Sequence, residues 1–206
     1  MQKKRFLYSL ARVICTPLFK LLYRYRYTNK DNIPQSGAYI ICSNHISYSD
    51  PLLLGIGQKR EIRYMAKSEL FRNRFFARLI TGLGAFPVQR GAHDNAVFDT
   101  ADSILENGEV LGIFPEGTRS KTGELLRMRS GAALIAAQMQ VPVVPACITP
   151  KGGKLKFFNP TKISYAPPIT PQELGLQRET QTAPQLRAAT RKIAQAIARL
   201  RENDKF

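Results

Sequence analysis

The chain has 206 residues, 44% of them hydrophobic and 22% charged, which suits one packed domain and excludes a disordered or low-complexity chain. Its 31 Lys and Arg against 15 Asp and Glu leave a formal net charge of +16, an excess that points to a polyanion: nucleic acid or an anionic membrane surface. Two His and three widely spaced Cys with no Cys-x-x-Cys speak against a metal site, and Cys42 and Cys147, inside apolar runs, read as buried free thiols of a reducing compartment.

Residues 3–30 carry eight basic side chains from Lys3 to Lys30, interleaved with Phe6, Leu10, Val13, Leu18 and Leu21 at helical spacing. Arg12, Pro17 and Lys20 exclude a spanning helix, because each charge at a bilayer centre costs about 2.5–3.5 kcal/mol. An unbroken apolar core with a small-residue cleavage site, the mark of a signal peptide, is missing. Residues 1–30 are therefore expected to be a basic amphipathic segment, two short helices hinged at Pro17. It lies along a lipid interface, or packs on the domain with its charges in water. Residues 31–206 are expected to form the folded domain.

After a turn at Asn32–Gly37, the run Ala38-Tyr39-Ile40-Ile41-Cys42 reads as a buried strand that delivers His45 to a sheet edge. Asp50-Pro51 followed by Leu52-Leu53-Leu54 is a helix start, with Asp50 at the N-cap and Pro51 at the first helical position. A carboxylate there can turn back onto the imidazole and hold its tautomer, which makes His45 and Asp50 a general base with its orienting partner. By themselves these two residues read equally well as a turn histidine and a cap.

Glu61–Lys67 is expected as a strand, Ser68 as the cap of a helix over residues 69–81, and Gly84–Gly91 as a strand ending in a loop. A helix over residues 94–107 stops at Gly108 and leads to a buried strand, Val110–Phe114, which runs into Pro115-Glu116-Gly117-Thr118-Arg119-Ser120. Residues 131–140 read as a helix and Val141–Ile148 as a strand, in which Pro142 and Pro145 either shape a strand edge or touch a substrate. Residues 154–165 suggest a closing hairpin, and a last helix is expected over residues 184–202. Alternating strands and helices imply an α/β fold: a mostly parallel central sheet flanked by helices, with chemistry at the carboxyl ends of the strands. His45, Arg90 and Glu116–Arg119 all follow predicted strands and so can converge. No Gly-x-x-x-x-Gly-Lys-Ser/Thr loop is present, which disfavours a P-loop enzyme, and no nucleic-acid module is recognisable, so nucleic acid is not the expected partner.

Four segments in order resemble the glycerolipid acyltransferases, most closely the 1-acylglycerol-3-phosphate acyltransferases: Asn44-His45…Asp50, Gly84–Arg90, Phe114-Pro115-Glu116-Gly117-Thr118-Arg119-Ser120, and Val141–Pro145. The likeness covers roughly residues 30–170, and Phe-Pro-Glu-Gly-Thr-Arg-Ser is its most specific part. It implies transfer of a fatty acyl group from a thioester to the sn-2 hydroxyl of lysophosphatidic acid, giving phosphatidic acid, on the cytoplasmic face of the cell membrane as a peripheral protein. Another acceptor, such as glycerol 3-phosphate or a different lysophospholipid, is the alternative. No cofactor is implied, because a thioester is already activated. The donor, acyl carrier protein or coenzyme A thioester, is left open.

In that reading His45 removes the hydroxyl proton with help from Asp50, a role worth typically about 10²–10⁴-fold. Arg90 and Arg119 suit the acceptor phosphate because guanidinium forks match its oxygens. Gly117 admits close backbone approach, and Thr118 and Ser120 can donate to phosphate or glycerol oxygens. Glu116 is assigned to the glycerol hydroxyl or to aligning an arginine. Backbone amides near the Pro51 helix start or beside Gly117 are the candidate oxyanion donors.

Overall fold

The computed structural model describes residues 16–88, 95–178 and 181–206. Seven strands form one sheet: β1 (Tyr25–Thr28), β2 (Tyr39–Ser43), β3 (Ile62–Lys67), β4 (Ala85–Val88), β5 (Val110–Ile113), β6 (Val143–Pro150) and β7 (Thr161–Tyr165). Their order across the sheet is β1-β7-β6-β2-β5-β3-β4. β6, β2, β5, β3 and β4 run parallel, whereas β7 is antiparallel to β6, and β1 follows β7. The helices are α1 (residues 16–23), α2 (Asp50–Gly57), α3 (Arg74–Gly82), α4 (Asn95–Glu106), α5 (Gly131–Met139), α6 (Pro171–Leu174) and α7 (Ala183–Asn203). Among the described residues no helix is long and apolar enough to cross a membrane.

The period-two alternation of β2 decides the layers. Ile40 and Cys42 face one side, where Leu111 and Val143 join them beneath Ile104 of α4, Ala136 of α5 and Ile193 of α7. Tyr39 and Ile41 face the other side, packed with Val144 and Ile148 against Leu53 and Leu54 of α2 and Tyr23 of α1. Burial on both faces is why this strand reads as an unbroken apolar run. In β5, Gly112 lies flat under the Tyr64 ring, and a Cβ there would overlap that ring. Cys42 and Cys147 are buried free thiols, each pushed up to about 12 by burial, and so chemically inert.

The structure departs from the sequence expectations at several points. Tyr25–Thr28 is an edge strand paired with Thr161–Ser164, so the helical segment expected through residue 30 ends at residue 23; residues 1–15 lie outside the described residues. Ser68 opens a 3₁₀ turn rather than α3. The cap of α3 is Asn73, whose Oδ1 accepts the N–H groups of Phe75 and Phe76 at 3.0 and 3.1 Å. Pro145 is buried in β6, an interior strand, where its carbonyl still accepts from Ala166 N–H, so it shapes no sheet edge.

The direction of the strands gathers distant segments at one place. The carboxyl ends of β2, β5 and β6 make an edge that receives residues 44–50, residues 114–130 and the connection at residues 151–160. Because β1 runs against β6, the end of α1 reaches the same edge. So does the first turn of α3, which starts from the carboxyl end of β3.

Candidate active site

His45 leaves β2 two residues after the strand ends, and its neighbour anchors it. Asn44 is buried, donates from Nδ2 to the Ile148 carbonyl at 2.9 Å and accepts the Ile148 N–H on Oδ1 at 2.8 Å. The amide thereby imitates one more rung of the β2–β6 ladder, and fixes the point at which the chain turns out of the sheet.

The imidazole is held on two sides. Its Nδ1 lies 2.7 Å from Asp50 Oδ2, and the same oxygen accepts the N–H groups of Ile46 at 2.6 Å and Ser47 at 2.8 Å. Two backbone N–H groups already point at this oxygen, which makes it an acceptor toward the imidazole as well, so Nδ1 carries the proton and Nε2 keeps the free lone pair. The Asp50 side chain is fully buried, whereas the His45 side chain retains 18% exposure, enough for a substrate to reach it. The Phe114 ring stacks on the imidazole with centroids 4.1 Å apart and planes at 20°, and Tyr64 backs Phe114 in turn. The expected N-cap role of Asp50 is corrected: Ser49 takes that position, and the Asp50 carboxylate serves the turn instead.

The segment after β5 is stitched to His45 through the backbone. Ser120 N–H donates to the His45 carbonyl at 2.7 Å, and His45 N–H donates to Glu116 Oε1 at 3.2 Å. Burial pushes the Glu116 carboxyl up to about 7. The N–H groups of His45 and Leu126 offset part of that rise, and the nearby Asp50 charge adds to it. Among the described residues Glu116 Oε2 has no hydrogen-bond partner although it is buried, so near neutrality this carboxyl is poised between proton donor and acceptor.

Arg119 is exposed, with its guanidinium carbon 3.5 Å from the ring centroid of Tyr48, three residues past His45. Gly117 has φ +69°, and a Cβ there would lie 3.3 Å from Arg129 Nε. Thr118 is exposed. Ser120 is buried and committed to its own loop, accepting Gly123 N–H on Oγ at 3.1 Å, which gives its hydroxyl a structural setting rather than an open one. Arg90 and His93 lie outside the described residues. The structure thus brings together His45, Asp50, Glu116, Gly117 and Arg119. It adds Asn44, Phe114, Tyr48 and Arg129, which sequence reasoning left without a role here. Phe114 opens the Phe-Pro-Glu-Gly-Thr-Arg-Ser motif and Arg129 belongs to the basic Arg127-Met128-Arg129 run, and these were the signals available. A cavity of about 450 Å³ lined by Arg63, Asp99, Ser103 and Glu109 lies toward the amino ends of β3 and β5, away from this chemistry.

A histidine base braced by a carboxylate at the carboxyl edge of a mostly parallel sheet, beside a glycine turn flanked by arginines, is equipped to deprotonate an alcohol next to an anionic group. The acyltransferase family model matches residues 24–149, more than half the chain and all four motif segments, and the chain belongs to that family. Its relatives are more specific. The 1-acyl-sn-glycerol-3-phosphate acyltransferase of Bacillus subtilis is 37% identical over 131 residues, covering 63% of this chain and 65% of that protein. The enzyme of the same name from Streptococcus pneumoniae is 33% identical over 126 residues, 60% of this chain and 46% of that one. Human 1-acyl-sn-glycerol-3-phosphate acyltransferase beta is 32% identical over 152 residues, 68% and 54% respectively. The chain therefore spans about half to two thirds of these relatives' length. The crystal structure of the 1-acyl-sn-glycerophosphate acyltransferase PlsC from Thermotoga maritima matches with a TM-score of 0.70 at 22% identity, covering 99% of this chain and 79% of that one, and shares the fold.

Proposed function

We propose that the protein transfers a fatty acyl group from an acyl thioester to the free hydroxyl of 1-acylglycerol 3-phosphate, yielding phosphatidic acid. The observation that carries this reading is the His45–Asp50 pair, 2.7 Å apart and partly open to solvent, stitched to the Glu116–Ser120 loop. The names of the relatives supply the substrate class.

His45 Nε2 takes the hydroxyl proton as the oxygen attacks the thioester carbon, and the Asp50 carboxylate stabilises the imidazolium that forms. A new C–O bond forms, the tetrahedral intermediate collapses, the C–S bond breaks, and the imidazolium returns its proton to the departing thiolate. Arg119 and Arg129 flank the Gly117 turn and provide guanidinium groups for the acceptor phosphate; Arg90 joins them in this proposal. Of the amides near the reacting centre, those of Ile46 and Ser47 serve Asp50 and those of Gly117 and Ser120 serve carbonyls. The Thr118 and Arg119 amides, beside the Gly117 turn, serve as the oxyanion donors in this proposal.

The protein acts at an anionic membrane surface, reached through the amphipathic N-terminal segment. On α1, Leu18 and Leu21 stand exposed beside Lys20 and Arg24. The donor is an acyl carrier protein or coenzyme A thioester, and both are acidic molecules suited to a chain of net charge +16.

The test is His45→Ala assayed with both donors against lysophosphatidic acid, glycerol 3-phosphate and lysophosphatidylcholine. Transfer should vanish while the circular dichroism spectrum and vesicle binding persist, and wild type should prefer lysophosphatidic acid. Turnover by His45→Ala close to wild type removes His45 from the chemistry; wild-type preference for another acceptor replaces the substrate.

A further inference from the structure

Among the described residues eight large apolar side chains are exposed; Tyr48 lies under Arg119 and Phe206 under Lys162, and the other six fall into two groups at the carboxyl edge of the sheet. Leu18 and Leu21 of α1 and Phe157 and Phe158 of the β6–β7 connection form one, tied together by Phe158 N–H donating to the Leu22 carbonyl and by Tyr23 against the Phe157 ring. The other is Phe75 and Phe76, 87% and 43% exposed, in the first turn of α3. The first group sits at the β1/β7 end of the sheet and the second at the β3/β4 end, with β2 and His45 between them.

We propose that the first turn of α3, Phe75 and Phe76 flanked by Arg72, Arg74 and Arg78, is a second lipid-inserting site that docks on an anionic bilayer surface on the opposite side of His45 from α1. This rests on the membrane reading above and extends it to an element that reading does not use.

Three observations favour lipid as the occupant. Consecutive helix positions point about 100° apart, so Phe75 and Phe76 splay as a wedge, which a fluid interface accepts more readily than one shaped protein pocket. Arg72, Arg74 and Arg78 are all exposed, while the acidic Glu69 is already paired with Lys67 Nζ at 2.7 Å, so the turn presents net positive charge toward lipid headgroups. Asn73 Oδ1 already satisfies the N–H groups of Phe75 and Phe76, which lowers the cost of sinking that helix start into an apolar layer. With α1 on one flank and α3 on the other, the edge bearing His45 lies flat on the surface from which a lysolipid would arrive.

The chain contains no tryptophan, so Phe75→Trp installs a single intrinsic reporter in it. Adding phosphatidylcholine–phosphatidylglycerol vesicles should shift its emission to the blue, and brominated lipids should quench it. An emission unchanged by vesicles overturns the proposal. So does one already blue-shifted without lipid, which would mean that the chain's own N-terminal segment covers the turn. In co-sedimentation, Phe75→Ser with Phe76→Ser should weaken vesicle partition at least about tenfold. Arg72→Ala with Arg74→Ala and Arg78→Ala should weaken it only on anionic vesicles, by about fivefold per charge. Turnover of a short-chain, monomeric lysophosphatidic acid should stay at the wild-type rate in both variants, which separates this proposal from the acyl-transfer reading tested through His45. Wild-type vesicle binding by the Phe variant, with a raised KM for acyl carrier protein, would assign the turn to an acidic protein and overturn the lipid proposal.

Discussion

Asp50→Asn isolates the charge of the orienting carboxylate from its geometry. Three donors meet Asp50 at one oxygen, Oδ2, while Oδ1 has no partner among the described residues. An asparagine placed with its carbonyl at the Oδ2 position keeps the hydrogen bonds of Ile46, Ser47 and His45 Nδ1, and with them the tautomer that leaves Nε2 free. What disappears is the negative charge beneath an imidazole that becomes cationic only as the proton arrives. With Nδ1 and Oδ2 2.7 Å apart, the charge centres lie about 4 Å apart, where unit charges interact by roughly 4 kcal/mol at an effective dielectric constant near 20. The surviving neutral hydrogen bond recovers part of this, leaving about 3 kcal/mol, or some 10²-fold in rate. The assay is thiol release from the acyl thioester at saturating acceptor. The expected result is kcat lowered about 10²-fold with KM for both substrates within about threefold of wild type. A kcat within threefold of wild type would show that the carboxylate charge takes no part in the chemical step.

Three further expectations concern the same site. Glu116 titrates at about 7 in the folded protein against an ordinary 4.5, so the folded state holds the extra proton between those values. Its contribution to stability is complete below pH 4.5 and is lost as pH rises through 7, so wild type should lose up to about 3 kcal/mol relative to Glu116→Gln from pH 4.5 to 8 by urea unfolding; a pH-independent difference refutes the shift. Arg119→Ala, which also frees the Tyr48 ring, should raise KM for the phosphorylated acceptor more than for the acyl donor in steady-state kinetics, and the reverse pattern places Arg119 at the donor. Asn44→Ala strands the buried N–H and carbonyl of Ile148, and should cost about 2–4 kcal/mol in chemical denaturation together with a loss of kcat; a cost below about 0.5 kcal/mol would show that the clamp is not needed.

The sequence was most informative where interacting groups lie close along the chain. His45 and Asp50 are five residues apart, and one turn between a strand and a helix suffices to bring them together, so the pair could be read from type and spacing once the other three motif segments stood beside it. The same holds for β2 and β6, whose apolar runs are dictated by burial on both faces, and for α7, framed by its capping box at Thr182. Reading the cap of α3 as Ser68 failed because two plausible capping residues lie five positions apart, and only the path of the backbone chooses Asn73.

Sequence by itself determined the α/β alternation, the histidine–carboxylate pair and the loop of glycine and arginine, because each is written in local periodicity or in a short motif. Tertiary structure alone decided that Glu116, 71 residues away, receives the His45 amide, that Asn44 clamps Ile148 across 104 residues, and that Phe114 lies flat on the imidazole. Those contacts exist because β2 lies between β5 and β6. Strand order is set by how seven strands and their covering helices bury apolar surface together, a property of the whole chain that no single segment encodes.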